Sequence, residues 1–283
     1  MTNITYSKMN SQGNDFILVD SSISEVKLLP DLAKSFLIQN INYDQLLYVE
    51  LSKSDELVTC SILNRDGSVA KQCGNGLRAI MLYFNNRYGY KAINIEVCGT
   101  KYKVKFKDTE NITVQMGKTQ PLAISERECG VVIPTEQFHK QSECIDNITE
   151  DIVFYLVDIG NQHCVIIDKH IPDDKHKIIQ HLNKNYNNQF NIEFLENLTE
   201  YINGNSQTLI LSVYERGAGW TDSCGSGATA AASVIFYSYP EVSSTGSVSV
   251  QQKGGLLSVF KEPNGLLYLS GPSTLEYEAS IYV

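Results

Sequence analysis

The chain repeats itself, and the repeat limits what it can fold into. The stretch GNDFILVD (13–20) returns as GNQHCVIID (160–168): Gly-Asn, two variable residues, then a largely β-branched apolar run closing on Asp. YDQLLYVE (43–50) returns as FNIEFLEN (190–197), with Asp44 as far from Asn14 as Asn191 is from Asn161. NRDGSVAKQCGNG (64–76) returns as ERGAGWTDSCGSG (215–227), with Cys73 as far from Asn64 as Cys224 is from Glu215. Matched signals in one order call for two halves built on one plan. The expected halves are residues 1–118 together with 270–283, carrying Cys73, and residues 119–269, carrying Cys224. The join falls in MGKTQPLAISERECG (116–130). The closing strands of LLYLSGPSTLEYEASIYV return to the first half.

Local patterns give an α+β fold. β-Branched or alternating runs recur in FILVD, LVTCSIL, AINIEV, KYKVKF, NITVQM, VFYLVD, CVIID, TLILSVYE, GSVSVQQ and LLSVF. Helical periods are fewer: DLAKSFLI, DDKHKIIQHLNKN, and the two stretches that follow the cysteines, GLRAIMLYFNNRYG and GATAAASVIFYSY. The expectation is two pseudo-symmetric domains, each a β-barrel-like sheet wrapped around a central helix.

Each repeat ends in Cys-Gly-x-Gly at a helix start. Such a start offers N–H groups outside the helical ladder and about half a positive charge, and both favour an anion. A thiol there ionises more readily, and flanking glycines let a ligand touch the backbone. Cys73 and Cys224 are therefore candidate proton-transfer groups, and the N–H groups of Gly74, Asn75, Gly225 and Ser226 a candidate carboxylate cradle. Two similar halves carrying two such thiols could work on opposite faces of one carbon, one removing a proton and the other returning one. That chemistry needs no metal and no pyridoxal cofactor. The remaining cysteines, Cys60, Cys98, Cys129, Cys144 and Cys164, read as small apolar packing residues. Neither glycine-rich stretch fits a phosphate-binding pattern.

Charge and cysteine usage narrow the partners. A net charge of -9 with scattered Lys and Arg disfavours nucleic acid and anionic membranes. A small anionic substrate needs only one or two arginines. No signal peptide is read at the N-terminus, and no apolar run approaches the roughly 18 residues of a membrane span. Seven cysteines, an odd number without a C-x-x-C pair, fit reduced thiols in a cytoplasm better than zinc or disulfides.

The motifs KMNSQGNDFILVD, YDQLL, NRDGSVAKQCGNGLR, GNQHCVI, FNIEF, YERGAG and CGSGA resemble the diaminopimelate epimerase family over nearly the whole chain. The resemblance implies cofactor-independent interconversion of LL- and meso-diaminopimelate, feeding lysine and peptidoglycan precursor synthesis, by a homodimer. It assigns catalysis to Cys73 and Cys224, and substrate contacts to Asn14, Gln45, Asn64, Asn161, Asn191, Glu215 and Arg216. Asparagines both donate and accept, as a zwitterion requires, and an arginine grips a carboxylate with two parallel bonds. His163, beside Asn161, reads as a supporting group. The chain departs from the family's pattern at Trp220, where glutamate is usual, Gln162 for proline, Ser11 for glycine and Ala79 for a second cysteine. Trp220, four residues before Cys224, sets a large ring close to a catalytic thiol; it reads as a packing change, with an altered substrate or slower chemistry as the alternatives. The alternatives are a racemase of another amino acid on the same fold and an inactive amino-acid-binding relative. The paired cysteines argue against the related isomerase of phenazine biosynthesis, which lacks them.

Overall fold

Two units, Met1–Gln115 with Ser270–Val283 and Met116–Leu269, carry the same succession of strands. The computed structural model describes residues 2–24, 29–52, 57–70, 72–125, 131–145, 151–167, 175–241 and 246–283. Cys129, Asp168 and the end of the expected join (126–130) lie outside the described residues. In the first unit the order is β1 (Asn3–Ser11), β2 (Asn14–Asp20), α1 (Leu29–Ile38), β3 (Gln45–Ser52), β4 (Leu57–Asn64), β5 (Val69–Ala70), α2 (Gly74–Tyr88), β6 (Ala92–Val97), β7 (Thr100–Asp108) and β8 (Asn111–Gly117). The chain continues through β9 (Gln120–Ile124), β10 (Val132–Pro134), β11 (Gln141–Glu143), β12 (Ile152–Asp158), β13 (Gln162–Ile166), α3 (Lys175–Asn185), β14 (Asn191–Leu195), α4 (Leu198–Ile202), β15 (Thr208–Glu215), β16 (Gly219–Thr221), α5 (Gly225–Ser238), β17 (Ser247–Gln252), β18 (Gly255–Lys261) and β19 (Leu267–Gly271). The last strand, β20 (Thr274–Tyr282), lies antiparallel along β1 in the first unit.

The shared plan is explicit in the pairing. β1–β2 is antiparallel, β2–β3 parallel, β3–β4 antiparallel, β4–β6 parallel and β6–β7 antiparallel. The second unit repeats the series with β12–β13, β13–β14, β14–β15, β15–β17 and β17–β18. Parallel neighbours cannot be joined by a tight turn and need a crossover. α1 and α2 supply the two crossovers of the first unit, α3 and α5 those of the second.

Strand alternation gives each sheet two covered faces. Ile17, Val19, Leu46 and Tyr48 pack in one core cluster with Leu32, Ala33 and Phe36 of α1. The intervening Phe16, Leu18 and Leu47 are also buried, so they point to the opposite face, toward α2. In the second unit Cys164, Ile166, Ile192 and Phe194 cluster with Ile178, Ile179 and Leu182 of α3. His163, Val165 and Glu193 take the other face, toward α5. α2 is buried from Gly74 to Phe84, and α5 from Gly225 to Phe236. A helix buried on every side is the mark of an element enclosed by its own sheet, and the alanine run of α5 keeps its neighbours close.

Register corrects one detail of the repeat. β3 sets Gln45 opposite Phe16, and β14 sets Asn191 opposite His163. Phe16 and His163 each stand two residues after the repeated Asn, so Gln45, not Asp44, is the counterpart of Asn191. The same alignment makes Leu47 the counterpart of Glu193. Two cysteines expected in the core are exposed, Cys98 and Cys144. Cys98 has φ 49 and stands with Gly99 at the tip of the β6–β7 turn, a site defined by backbone conformation rather than packing. Cys60 and Cys164 are buried. α4 has no counterpart in the sequence reading.

Candidate active site

Both cysteines are helix N-caps with the same geometry. Cys73 precedes α2 with φ -153 and ψ 99, and its sulfur accepts from the Gly76 N–H at 3.3 Å. Cys224 precedes α5 with φ -129 and ψ 110, and its sulfur accepts from the Gly227 N–H at 3.4 Å. The sulfur thus satisfies an N–H of the first turn that has no partner in the helix. Cys73 is half-buried and Cys224 buried.

The first unit holds the residues named from sequence on β2, β3, β4 and the start of α2. The two-residue turn Gln12–Gly13 joins β1 to β2, with φ 56 and 88. Positive φ at both positions is the hairpin conformation that glycine tolerates best. The turn delivers Asn14 to α2, where its Oδ1 accepts from Asn75 Nδ2. Gln45 donates to Asn64 Oδ1 at 3.0 Å, and Asn64 donates to Ser68 at 3.0 Å. These amides form two fixed pairs on adjacent elements.

The second unit holds its named residues in the β12–β13 connection, on β14, at the end of β15 and just after it. Asn191 Oδ1 accepts the Arg216 N–H at 2.9 Å, tying β14 to the turn after β15. Arg216 is exposed, and its guanidinium donates weakly to the Gln189 carbonyl at 3.4 Å. Glu215 accepts from Thr221 at 2.5 Å. Asn161 lies in the β12–β13 connection, where its carbonyl accepts the Ile159 N–H at 3.1 Å. Ser226 stands 3.5 Å from the Cys224 sulfur. Burial first, then the negative charges of Glu215 and Glu193, push the Cys224 thiol well above its ordinary value; Ser226 and the Gly227 N–H pull the other way.

Several participants were not named as site residues from sequence. Gln252 donates to the Cys224 carbonyl at 3.0 Å and accepts the Cys224 N–H at 2.6 Å, so one amide clamps the Cys224 backbone from both sides. The signal was available: Gln252 follows Val248 and Val250 at inward-facing positions of β17. His163 Nδ1 and Glu193 Oε1 lie 2.6 Å apart with both side chains fully buried. Their outer atoms, His163 Nε2 and Glu193 Oε2, have no hydrogen-bond partner among the described residues. The first unit holds Phe16 and Leu47 at the same positions.

Trp220 takes the packing reading. Its ring is not turned to the thiol. It packs against Phe194, Tyr214 and His176 with centroids 5.8, 5.7 and 6.4 Å away, under the Lys175 ammonium, and is 43% exposed. Phe194 belongs to the α3 face of the sheet, and Glu193, next to Cys224, to the opposite one; alternation keeps the ring and the thiol on different sides.

The two glycines at the third position of the helices face different neighbours. A Cβ on Gly227 would stand 2.7 Å from Glu193 Oε1, whereas one on Gly76 would stand 3.2 Å from a methyl of Leu47. A leucine methyl can swing away; a carboxylate locked to His163 cannot. Gly227→Ala is expected to cost about 1–3 kcal/mol by overpacking. Gly76→Ala should be close to neutral, since a gain of up to about 1 kcal/mol in helix propensity offsets a mild contact. Urea unfolding of both variants checks this; equal losses would contradict it.

A sequence profile described as diaminopimelate epimerase matches residues 6–122 and 155–276. A diaminopimelate epimerase of Vesicomyosocius okutanii subsp. Calyptogena okutanii (strain HA) is 29% identical over 290 residues, covering 99% of each chain. Among solved structures, a hydroxyproline epimerase from Agrobacterium vitis, with trans-4-hydroxy-L-proline bound, superposes with a TM-score of 0.66 at 10% identity, covering 99% of this chain and 94% of that one. A phenazine biosynthesis protein of the PhzF family from Enterococcus faecalis superposes with a TM-score of 0.62 at 12% identity, covering 99% and 100%. At such identities these structures share the fold alone.

Proposed function

The chain belongs to the diaminopimelate epimerase family, and on that premise we propose that it interconverts LL- and meso-diaminopimelate by passing protons through Cys73 and Cys224. It is an isomerase, an amino-acid epimerase. In this reading one cysteine, as thiolate, removes the α-proton from one face of the carbon. The other, as thiol, gives a proton to the opposite face. The carbon inverts, and the two cysteines end with their protonation states exchanged, so the reverse reaction uses the same groups in opposite roles. The substrate carboxylate lies on the helix N-termini at Gly74–Asn75 and Gly225–Ser226, where N–H groups and the dipole stabilise the charge that spreads onto it as the proton leaves. Asn14, Gln45, Asn64, Asn161, Asn191, Glu215 and Arg216 hold the rest of the molecule, Arg216 taking the distal carboxylate.

The observation that carries the reading is the duplicated cap: two cysteines, each holding the N–H of the third residue of a buried helix, in two units of one topology. The reading extends to a cytoplasmic homodimer that handles a small amino acid and neither nucleic acid nor membrane. What supports this part is the family resemblance for the homodimer, and the acidic balance with scattered Lys and Arg for the rest. Incubation of reduced protein with LL-diaminopimelate, beside a panel of other free amino acids, tests the function. Formation of the meso isomer supports it. Inversion of another amino acid in its place would assign the site to a racemase of different substrate, and binding without inversion to an inactive relative.

A further inference from the structure

The segment that leads into α5 is gripped by one turn. β17 ends at Gln252, which pairs with Gly255 of β18 and leaves Lys253–Gly254 as the turn between them. Gln252 Oε1 accepts the Cys224 N–H at 2.6 Å, and Nε2 donates to the Cys224 carbonyl at 3.0 Å. The Gly254 N–H donates to the Asp222 carbonyl at 2.7 Å, and the Lys253 ammonium to the Asp222 carboxylate at 2.7 Å. Lys253 is exposed, and an ion pair in that setting contributes little. Gln252 is buried and directs both ends of its amide to one residue.

Both peptide planes beside the Cys224 Cα are thereby fixed. The N–H on one side meets Gln252. The carbonyl on the other accepts from Gln252 and, at 3.0 Å, from the Ala228 N–H of the helix, as its two lone pairs allow. The side-chain torsion is then what places the sulfur, and the Gly227 N–H holds it at 3.4 Å. Packing alone does not call for an amide here. Val248 and Val250 precede Gln252 on the buried face of β17, and a buried amide is costly unless its groups are bonded. The first unit has Val97 at the corresponding place. β6 sets Glu96 beside Thr59 and β17 sets Gln251 beside Ile210, and Thr59 and Ile210 stand equally far before their cysteines. Val97 closes β6 as Gln252 closes β17, and it too is buried. The strand plan thus accepts valine at this position, and the amide answers to Cys224.

We propose that Gln252 is the positioning residue of Cys224: it fixes the backbone from which that sulfur reaches the substrate carbon, without touching substrate itself. The proposal rests on the reading of Cys224 as a proton-transfer group. A misplacement of about 1 Å can cost roughly 100-fold in rate, so loss of the clamp falls on kcat. The N–H groups of Gly225 and Ser226 lie on the helix side of the Cys224 carbonyl. There the helical ladder and the bond from Thr229 to the Gly225 carbonyl at 2.9 Å hold them without Gln252, so KM is spared.

The test begins with Gln252→Met, which removes both bonds at similar volume. Its kcat for inversion is expected to fall roughly 10- to 100-fold with KM within about twofold of wild type. Gln252→Glu is the rescue. A neutral carboxyl both donates and accepts, and so replaces the amide bond for bond. Burial raises its pKa, so it is neutral at the acid end of the assay range and ionised as pH rises. The ionised form only accepts, and it turns a charge toward the Cys224 carbonyl. The kcat of Gln252→Glu, taken as a ratio to wild type at each pH, should approach unity at the acid end and fall toward the methionine variant's value at the alkaline end. Wild-type kcat in Gln252→Met, a loss confined to KM, or a Gln252→Glu ratio that does not change with pH overturns the proposal. Amide hydrogen exchange of the full chain carrying isotope-labelled cysteine tests the clamp without substrate. The Cys224 N–H should exchange roughly tenfold faster or more in Gln252→Met, while the Cys164 N–H of β13 keeps its rate. An unmoved Cys224 rate, or equal acceleration at Cys164, which would mean that the whole unit loosens, also overturns it. A wild type that inverts no amino acid would instead sink the functional reading, and the exchange rates would still decide whether Gln252 holds Cys224.

Discussion

Replacing Cys73 by Ala is expected to abolish inversion, and replacing Cys224 by Ala to do the same. General acid or base catalysis is worth about 10²–10⁴-fold, and in the proposed mechanism each cysteine is needed in every turnover, as base in one direction and acid in the other. Either variant should therefore lose on the order of 10³-fold or more in kcat. The loss cannot be assigned to unfolding. Each sulfur accepts one N–H of its helix, and loss of a cap costs about 1 kcal/mol, a small fraction of the stability of a domain. A thermal melt beside the turnover assay separates the two effects. Turnover near the wild-type rate in either variant would remove that cysteine from the mechanism.

The second large effect is on stability. Glu193→Leu breaks a fully buried pair and leaves His163 without its partner at Nδ1. Removing one member of such a pair costs about 3–5 kcal/mol, whereas replacing both by apolar groups of similar volume is often neutral or stabilising. The molecule carries its own template for the replacement, since the first unit holds Phe16 and Leu47 at these positions, both fully buried. Gly76 already accepts a leucine methyl where Gly227 meets the carboxylate. His163→Phe with Glu193→Leu is therefore expected to recover most of the stability lost by Glu193→Leu alone. Urea unfolding of the single and double variants decides it; a double variant as unstable as the single one would mean that the second unit needs the polar pair itself.

The repeat was the legible part. The α+β class, the two pseudo-symmetric halves and the helix behind each cysteine follow from matched strings and from strand and helix periods; the strand pairing and the parallel crossovers were not read. The cysteine caps were legible because they combine a reactive residue with glycine and a helix start. Four features were missed or misplaced. The counterpart of Asn191 slipped from Gln45 to Asp44, because adjacent strands take their register from hydrogen bonding and a loop one residue longer leaves similar strings offset. Gln252 clamps Cys224 from a distant strand, and only its inward parity among valines marked it. Arg78 looks in sequence like an ordinary polar residue of an amphipathic helix; its burial follows from α2 being enclosed on every side. Trp220 looked close to Cys224 because sequence proximity is blind to which face of a sheet a side chain takes.

The central claim is that two different sulfurs handle the two sides of one carbon. The direct measurement is early-time inversion of unlabelled LL-diaminopimelate in deuterated water, with α-deuterium followed separately in product and in recovered substrate. Each thiol carries one proton, so the product should contain solvent deuterium from the first turnovers while recovered substrate stays largely protonated. A product that retains the substrate's own α-proton, or substrate that gains deuterium as fast as product forms, would mean that a single group serves both faces and would contradict the account.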